Sequence, residues 1–559
     1  MANISTVSSP TGLRSRGKIT TDPPNILVIL ADDVGIDMLA QYQAYMIANA
    51  GFPSPAVSYA DTPTLQSMKT AGVRFMNMRT QPNCSPTRAC MLSGRYAFRT
   101  GISAVVREAN MDLTANAWEF GINHATDELF MPRLTIPKGY RCGIFGKWHL
   151  AAPDGGTVPN GVPWEGGTPA GYGTGWTHPD TISSTDGQHI DYGLTFSNLD
   201  IEPLPADSGS TKPGYHNFYW RSKTEGNDAT TTQVADEYHT AYSRQELQSW
   251  IQGQTEPWLA YWALCAIHSP FGTFPDNGGG NSGCMPPDDG TTATDWDTYN
   301  DTIGTYPVYN SCRAAIEAMD YQIGLLKTAL GDEWDRTMVL FIGDNGTQRN
   351  VLVAMQDWET ANANAIGEPY ASLLSEDAFK GTVHEAGLRV PMMVTGPLVA
   401  SPNRDYLGLV DAVDVYATIR HIARVPYSST IQDDRVIDGI SFLHALQDGT
   451  LDVEGSRQFS FSETYIPLGA ATGATDTDAG HQRDRSYILH VEGDGVYKLN
   501  RELSGTVNVD TFFQLMDDDY VPVDPYMQTP LATGAGVPNY VACAQAMSAL
   551  FATETESIV

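Results

Sequence analysis

Four apolar runs in this chain each lead into side chains suited to holding a metal ion or an oxyanion. Asn25–Ala31 is followed by Asp32 and Asp33, and Arg141–Phe145 by Gly146, Lys147, Trp148 and His149. Trp258–Ala266 leads to His268, Ser269 and Pro270, and Thr337–Ile342 to Gly343, Asp344, Asn345 and Gly346. Asp32, Asp33, Asp344 and Asn345 offer only hard oxygen donors, which suit Ca²⁺ or Mg²⁺ better than zinc. Taken singly, each ending reads as an ordinary turn. A further segment runs Asn83-Cys84-Ser85-Pro86-Thr87-Arg88-Ala89-Cys90-Met91-Leu92-Ser93-Gly94. Ser85 as N-cap and Pro86 as first helical residue would put Cys84 just ahead of a helix N-terminus, where free N–H groups favour an anion. Arg88 adds a fixed fork of donors for oxyanions.

The apolar runs have the continuous character of strands buried on both faces, as in a parallel sheet. Val390–Val394 is another. Between the runs, Ala314–Leu330 spaces Ile316, Met319, Ile323, Leu326 and Leu330 as one face of a helix. Strands alternating with helices predict an α/β domain with a largely parallel central sheet. Ligands of such sheets gather outside the carboxyl ends of the strands, so the polar endings should meet at one edge. Residues 1–24 read as a flexible arm and residues 25–455 as the α/β domain. Gly-, Pro-, Thr- and Asp-rich insertions at about 151–235 and 271–310 should lie around the site mouth. Their aromatic residues, Trp220 and Tyr215 among them, are expected to pack locally. Phe459–Tyr465, Ser486–Val491, Val496–Leu499 and Thr511–Leu515 predict an antiparallel sheet in a small domain over 456–559. Val537–Phe551 should pack on the body of the chain. His239 and His384 are read as structural or surface residues.

Length alone, 559 residues, is compatible with about two to four domains. Lys and Arg number 33 against 65 Asp and Glu, a formal charge of −32. Such acidity argues against nucleic acid and anionic membrane as partners, though a site can carry a local field of the opposite sign. The seven cysteines are scattered, with no CxxC pair and no disulfide framework. With no signal-peptide run and no apolar stretch of spanning length, a cytoplasmic protein is expected, or a periplasmic one if a leader was removed.

Taken in order, these residues resemble the type I, formylglycine-dependent sulfatases of the alkaline phosphatase superfamily. The family mark is Cys-x-Pro-x-Arg with a small residue and Gly further on, here Cys84, Pro86, Arg88, Ser93 and Gly94. A second signature runs from Gly139-Tyr140 to Gly146-Lys147-Trp148-His149. Ile26–Asp33, His268-Ser-Pro-Phe271, Gly343–Gly346, Lys380–Pro391 and Asp438–Leu443 complete the likeness over roughly 25–445. Ser93 replaces the usual Thr or Ala, Ala386-Gly387 a common Gly-Gly, and Ile267 a frequent Pro. None of these removes a reactive group.

The resemblance implies an alkaline-phosphatase-like fold, helices flanking the central sheet, and hydrolysis of sulfate monoesters, as in arylsulfatases. Cys84 would be converted to formylglycine by a formylglycine-generating enzyme, and its hydrated gem-diol would be the nucleophile. Asp32, Asp33, Asp344, Asn345 and residue 84 would hold one divalent cation, expected to be Ca²⁺, with Mg²⁺ or Mn²⁺ as alternatives. Arg88 and Lys147 would position the diol, His149 would take its second proton, and His268 and Lys380 would bind sulfate and assist the leaving oxygen. The substrate would be a small anionic sulfate ester, and a homo-oligomer is compatible with the sequence. Two rivals are a phosphonate monoester or phosphodiester hydrolase of the same superfamily and a non-catalytic anion-binding module.

Overall fold

The computed structural model describes residues 23–43, 59–100, 102, 105, 131, 135–150, 190–195, 214–223, 230–235, 237–271, 283–287, 306–361, 379–426, 436–447, 457–467, 481–504, 507–520, 522–523, 527 and 530–551. Residues 1–22 of the expected arm and most of both insertions lie outside these residues. The strands are β1 (Asn25–Ala31), β2 (Gly72–Arg79), β3 (Arg141–Gly146), β4 (Ile190–Thr195), β5 (Asn217–Lys223), β6 (Thr230–Ala235), β7 (Trp258–Ala263), β8 (Thr337–Gly343), β9 (Met392–Thr395), β10 (Arg404–Asp411), β11 (Phe459–Pro467), β12 (His481–Val491), β13 (Gly495–Ser504) and β14 (Val507–Met516). The first ten form one sheet in the order β10-β2-β9-β8-β1-β7-β3-β4-β5-β6, and the last four a second sheet in sequence order. In the large sheet only β5 and β9 run against the rest. The second sheet is antiparallel throughout.

Both faces of the large sheet are covered, which is why its central strands are apolar without alternation. Ile26, Val28 and Leu30 of β1 enter one core, and Leu27, Ile29 and Ala31 the other. Strand β8 divides likewise, with Met338, Leu340 and Ile342 facing one way and Val339 and Phe341 the other. Each fully buried side chain of this size contributes roughly 1.5–3 kcal/mol. Leu65 and Met68 of α1 (Pro63–Ala71) line the second core. Residues of α2 (Cys84–Ser93) line the first. Leu247 and Trp250 of α3 (His239–Gln252), Ile316, Met319 and Ile323 of α4 (Pro307–Leu330) and Met355 of α5 (Arg349–Ala361) cover the second face. Val415, Tyr416 and Ile419 of α6 (Val413–Ile422) cover the first. Among the described residues no helix is long and apolar enough to cross a membrane.

Three predicted boundaries shift. Trp258–Ala266 leaves the sheet at Ala263, although Leu264 N still donates to Leu30 O at 2.8 Å. The run at 390 becomes a strand only from Met392, because Pro391 has no N–H to pair. The insertion at 151–235 is not all loop: β4, β5 and β6 extend the large sheet. Within it Tyr215 and Trp220 are buried, stacking or edge-packing on Tyr238 and Tyr242, as local packing requires.

The second sheet shares a core with the first. Phe461, Tyr487, Leu499 and Phe512 join the same cluster as Val28 and Leu340, together with Cys543 and Met547 of α7 (Pro538–Phe551). Polar ties reinforce this. Gln81 donates from its amide to Phe461 O at 3.1 Å and accepts from Glu463 N at 3.0 Å, standing in for a strand neighbour at the edge of β11. Buried Glu385 sits between Arg79 of β2 (2.7 Å) and Lys498 of β13 (2.9 Å).

Burial opposes ionisation of Glu385, but Arg79 and Lys498 outweigh it and hold the carboxyl below its ordinary range. The native state therefore binds fewer protons there than the unfolded chain. The resulting stability is complete above the unfolded carboxyl value of about 4.3 and is lost as pH falls through the depressed native value. Glu385→Gln leaves two buried cations without an anion, so denaturant unfolding at pH 7 should show a loss of about 3–5 kcal/mol. That loss should shrink in acid.

Candidate active site

The parallel strands deliver their endings to one edge. Asp32 and Asp33 leave β1, Asp344 and Asn345 leave β8, Lys147 leaves β3, and His268 follows β7. The strand ladder continues past the strand ends: Asp344 N donates to Ala31 O (3.0 Å), Lys147 N to Ala263 O (2.8 Å) and Asp32 N to Ala266 O (3.0 Å). Strand β2 points the same way and releases the chain into Thr80–Asn83 and then α2. Strand β9 runs oppositely, so the segment carrying Lys380 enters at this edge too.

Helix α2 starts two residues earlier than expected. Cys84 is its first residue and Asn83 its N-cap, because Asn83 O accepts the first helical bond from Thr87 N at 3.2 Å. The Asn83 side chain makes no cap and donates instead to Thr464 Oγ1 of β11 at 3.3 Å. Pro86 then lies in the first turn, where a missing N–H costs nothing. Ser85 is buried and does not cap the helix.

The side chains form one buried ionic cluster. Cys84 Sγ lies 3.4 Å from Asp32 Oδ1, 3.9 Å from Asp33 Oδ1 and 3.8 Å from Lys147 Nζ. Lys147 Nζ donates to Asp32 Oδ2 at 2.7 Å. Arg88 donates from Nε and Nη2 to Asp344 Oδ2 (3.2 and 2.8 Å) and from Nη1 to Lys147 O (2.7 Å). Asp33 Oδ1 accepts from Asn345 Nδ2 at 2.7 Å and pairs with Lys380 Nζ at 2.6 Å. His268 Nε2 is 3.7 Å from Asp33 Oδ2. One ligand atom from each of Asp32, Asp33, Cys84 and His268 falls within 4.8 Å of the others. His149 is buried on the same loop two residues after Lys147, and its placement beside the cluster rests on the chain path. Lys380, with 14% of its side chain exposed, marks the open side. Of the two histidines set aside, His239 is buried, and His384 pairs with Glu502 at 3.4 Å.

Electrostatics and backbone strain both concentrate here. Asp33 and His149 hold left-handed backbone angles (φ 62° and 59°), unusual for side-chain-bearing residues and typical of constrained sites. Burial opposes the charge on Asp32, yet Lys147, His268, Arg88 and Lys380 hold its carboxyl well below the usual range. Burial and the neighbouring Asp32 push Asp344 up to about 7 in spite of Arg88. Burial, with Asp344, pushes the Cys84 thiol well above its ordinary value, so thiolate is disfavoured. Burial opposes the charge on Lys380, but Asp33, Cys84 and Asp32 together outweigh it and raise its value.

A divalent cation fits this set. The donors are carboxylates and an amide, Asn345 Oδ1 is buried with no hydrogen-bond donor, and Asp344 lacks enough positive charge to ionise readily. Sequence reasoning missed one contact, Gln348 Nε2 to Asp33 Oδ2. A glutamine offers no charge or metal-ligand signal. The only available cue was its place just before the periodic run that forms α5.

The family model described as Sulfatase matches residues 24–425. N-acetylgalactosamine-6-sulfatase of Canis lupus familiaris is 26% identical over 449 residues, covering 80% of this chain and 70% of the relative. Arylsulfatase A of Homo sapiens is 24% identical over 524 residues, covering 88% and 84%. The crystal structure of Ps i-CgsB superposes with a TM-score of 0.61 at 16% identity, covering 95% of this chain and 93% of that one. BT4656, solved in complex with its substrate D-glucosamine-2-N,6-O-disulfate, gives 0.56 at 14% identity, covering 96% and 99%. At such identities the structural likeness establishes the fold. The family match over residues 24–425, most of the chain, establishes the lineage: this chain belongs to the sulfatase family of the alkaline phosphatase superfamily, whose members are sulfuric ester hydrolases.

Proposed function

We propose that this chain hydrolyses a sulfate monoester through a formylglycine at residue 84, with Asp32, Asp33, Asp344 and Asn345 holding one divalent cation. The observation that carries the reading is Cys84 itself: a buried thiol in the first turn of a helix, with two aspartates and a lysine within 3.9 Å. As a thiol it is poorly disposed to attack, whereas its Sγ stands where an oxygen of the modified residue would be. An all-oxygen set favours Ca²⁺ over softer metals. When bound, the cation would supply Lewis acidity to a sulfate oxygen and acidify a hydroxyl on residue 84.

The chain's own groups supply the rest. The aldehyde of residue 84 hydrates to a gem-diol, and Arg88 and Lys147 orient it. One diol hydroxyl gives its proton to a neighbouring carboxylate of the cluster, its oxygen bonds to sulfur as the bond from sulfur to the ester oxygen breaks, and the ester oxygen leaves as an alcohol or phenol, taking a proton from His268 or Lys380. The sulfated diol keeps a second hydroxyl. His149 removes its proton, the carbon–oxygen bond to sulfate breaks, and the aldehyde returns. A simple serine-like sulfate ester has no such exit and would need water to attack at sulfur. Maturation by a formylglycine-generating enzyme is part of this proposal.

Peptide mass spectrometry across residue 84, after expression with a competent maturation system, should show the aldehyde or its hydrate. Cysteine alone would refute the diol mechanism and favour a non-catalytic anion binder. Cys84→Ala should lower turnover by at least about 10⁴-fold while leaving the unfolding temperature close to that of the parent. Matched aryl sulfate and aryl phosphonate esters should be cleaved with higher kcat/KM for the sulfate, and the reverse order would reassign the substrate class.

A further inference from the structure

The segment that leaves β8 is engaged at every residue. Asp344 Oδ1 accepts from Asp33 N at 3.0 Å, and Asn345 reaches Asp33 Oδ1. Gly346 N donates to Gly387 O at 2.9 Å, and a Cβ at Gly346 would stand 1.8 Å from Ala386 O, so only glycine fits. Thr347 Oγ1 accepts from Gly35 N (3.1 Å), and Thr347 O accepts from Lys380 N (2.9 Å). Gln348 closes the series. Its carbonyl accepts from Val351 N and Leu352 N, which fixes its backbone at the start of α5, and its side-chain amide donates to Asp33 Oδ2.

The two oxygens of Asp33 therefore have different neighbours. Oδ1 faces Cys84, Asn345 and the Lys380 ammonium. Oδ2 faces Gln348 and, at 3.7 Å, His268. A carboxylate so close to an ammonium is drawn toward it, and a cation must compete with that ammonium for the same oxygen. A donor on the far oxygen limits rotation of the carboxylate. Gln348 is neutral, so it does this without adding a positive charge that would repel a divalent ion.

We propose that Gln348 is a positioning residue for the metal site: its side-chain amide holds Asp33 Oδ2 so that Oδ1 stays aimed at Cys84 and Asn345. This rests on the reading of the aspartate cluster as a cation site. Partners of metal-ligating carboxylates commonly change affinity by about 10–100-fold when removed. The amide is half-buried, and only its backbone caps α5, so replacing the side chain leaves the helix start intact.

The test is calorimetric titration of the full chain with CaCl₂, alongside thermal unfolding with and without the metal. Gln348→Met keeps length and loses the donor. Gln348→Asn keeps the amide and loses the reach. Both should weaken Ca²⁺ binding by about 10–100-fold, keep the metal-free unfolding temperature, and show a smaller rise in that temperature on adding Ca²⁺. Arg349→Ala, next in the chain on the exposed side, should bind Ca²⁺ as the parent does. Unchanged affinity in both Gln348 variants, with a parent that binds, overturns the role of Gln348 alone. A parent that takes up no Ca²⁺ overturns the cation site and this inference with it.

Discussion

Three carboxylates and three permanent cations are held out of water in one cluster at the sheet edge, and the rest of the molecule can be read as what this arrangement requires. Asp32, Asp33 and Asp344 repel one another, and burial strips each of hydration. Lys147, Arg88 and Lys380 answer them one for one, each drawn from a different part of the chain. Removing solvent strengthens every pairing while making any unmatched charge costly. Such a cluster survives only on a scaffold that resists rearrangement. A parallel sheet packed on both faces provides one, because its strand ends cannot move independently.

The second sheet belongs to that scaffold. Gln81 and Asn83 tie the approach to α2 to β11, and Lys498 ties β13 to the segment that carries Lys380. The residue proposed as nucleophile and the lysine proposed to meet sulfate are thus braced from the same side. Gly346, pressed against Ala386 O, locks the turn proposed to hold the cation to the same segment.

Much of this was legible in the sequence because burial on both faces leaves a plain signature. Asn25–Ala31 and Thr337–Gly343 could be read as strands from their unbroken apolar character, and the polar residues following them as a shared edge. Of the ten candidate site residues, all but Lys380 stood out at strand ends or in the Cys84–Arg88 segment, and all but His149 meet through direct contacts. Other elements lacked such a signature. Strands β4 to β6 lie at the sheet margin among Gly, Thr and Asp, where half-buried strands resemble loops. The start of α2 depended on which carbonyl accepted the first helical bond, a choice that Ser85 and Pro86 did not dictate. Gln348 was invisible because an amide acquires meaning only from the carboxylate it touches. The tie through Gln81 joins strands more than three hundred residues apart, a separation no local pattern records.

The burial of Cys84 also sets an order of events. The residue is 1% exposed, its backbone lies in a helix, and Asp32, Asp33 and Lys147 crowd its sulfur. An enzyme that oxidised this thiol, as proposed, would have to reach it before the helix and the sheet edge close around it. If residue 84 is matured as proposed, maturation and folding draw on the same short-lived, open form of the chain. Whichever is faster decides the outcome, so a slower-folding variant of this protein could emerge from the cell more fully modified than a faster one.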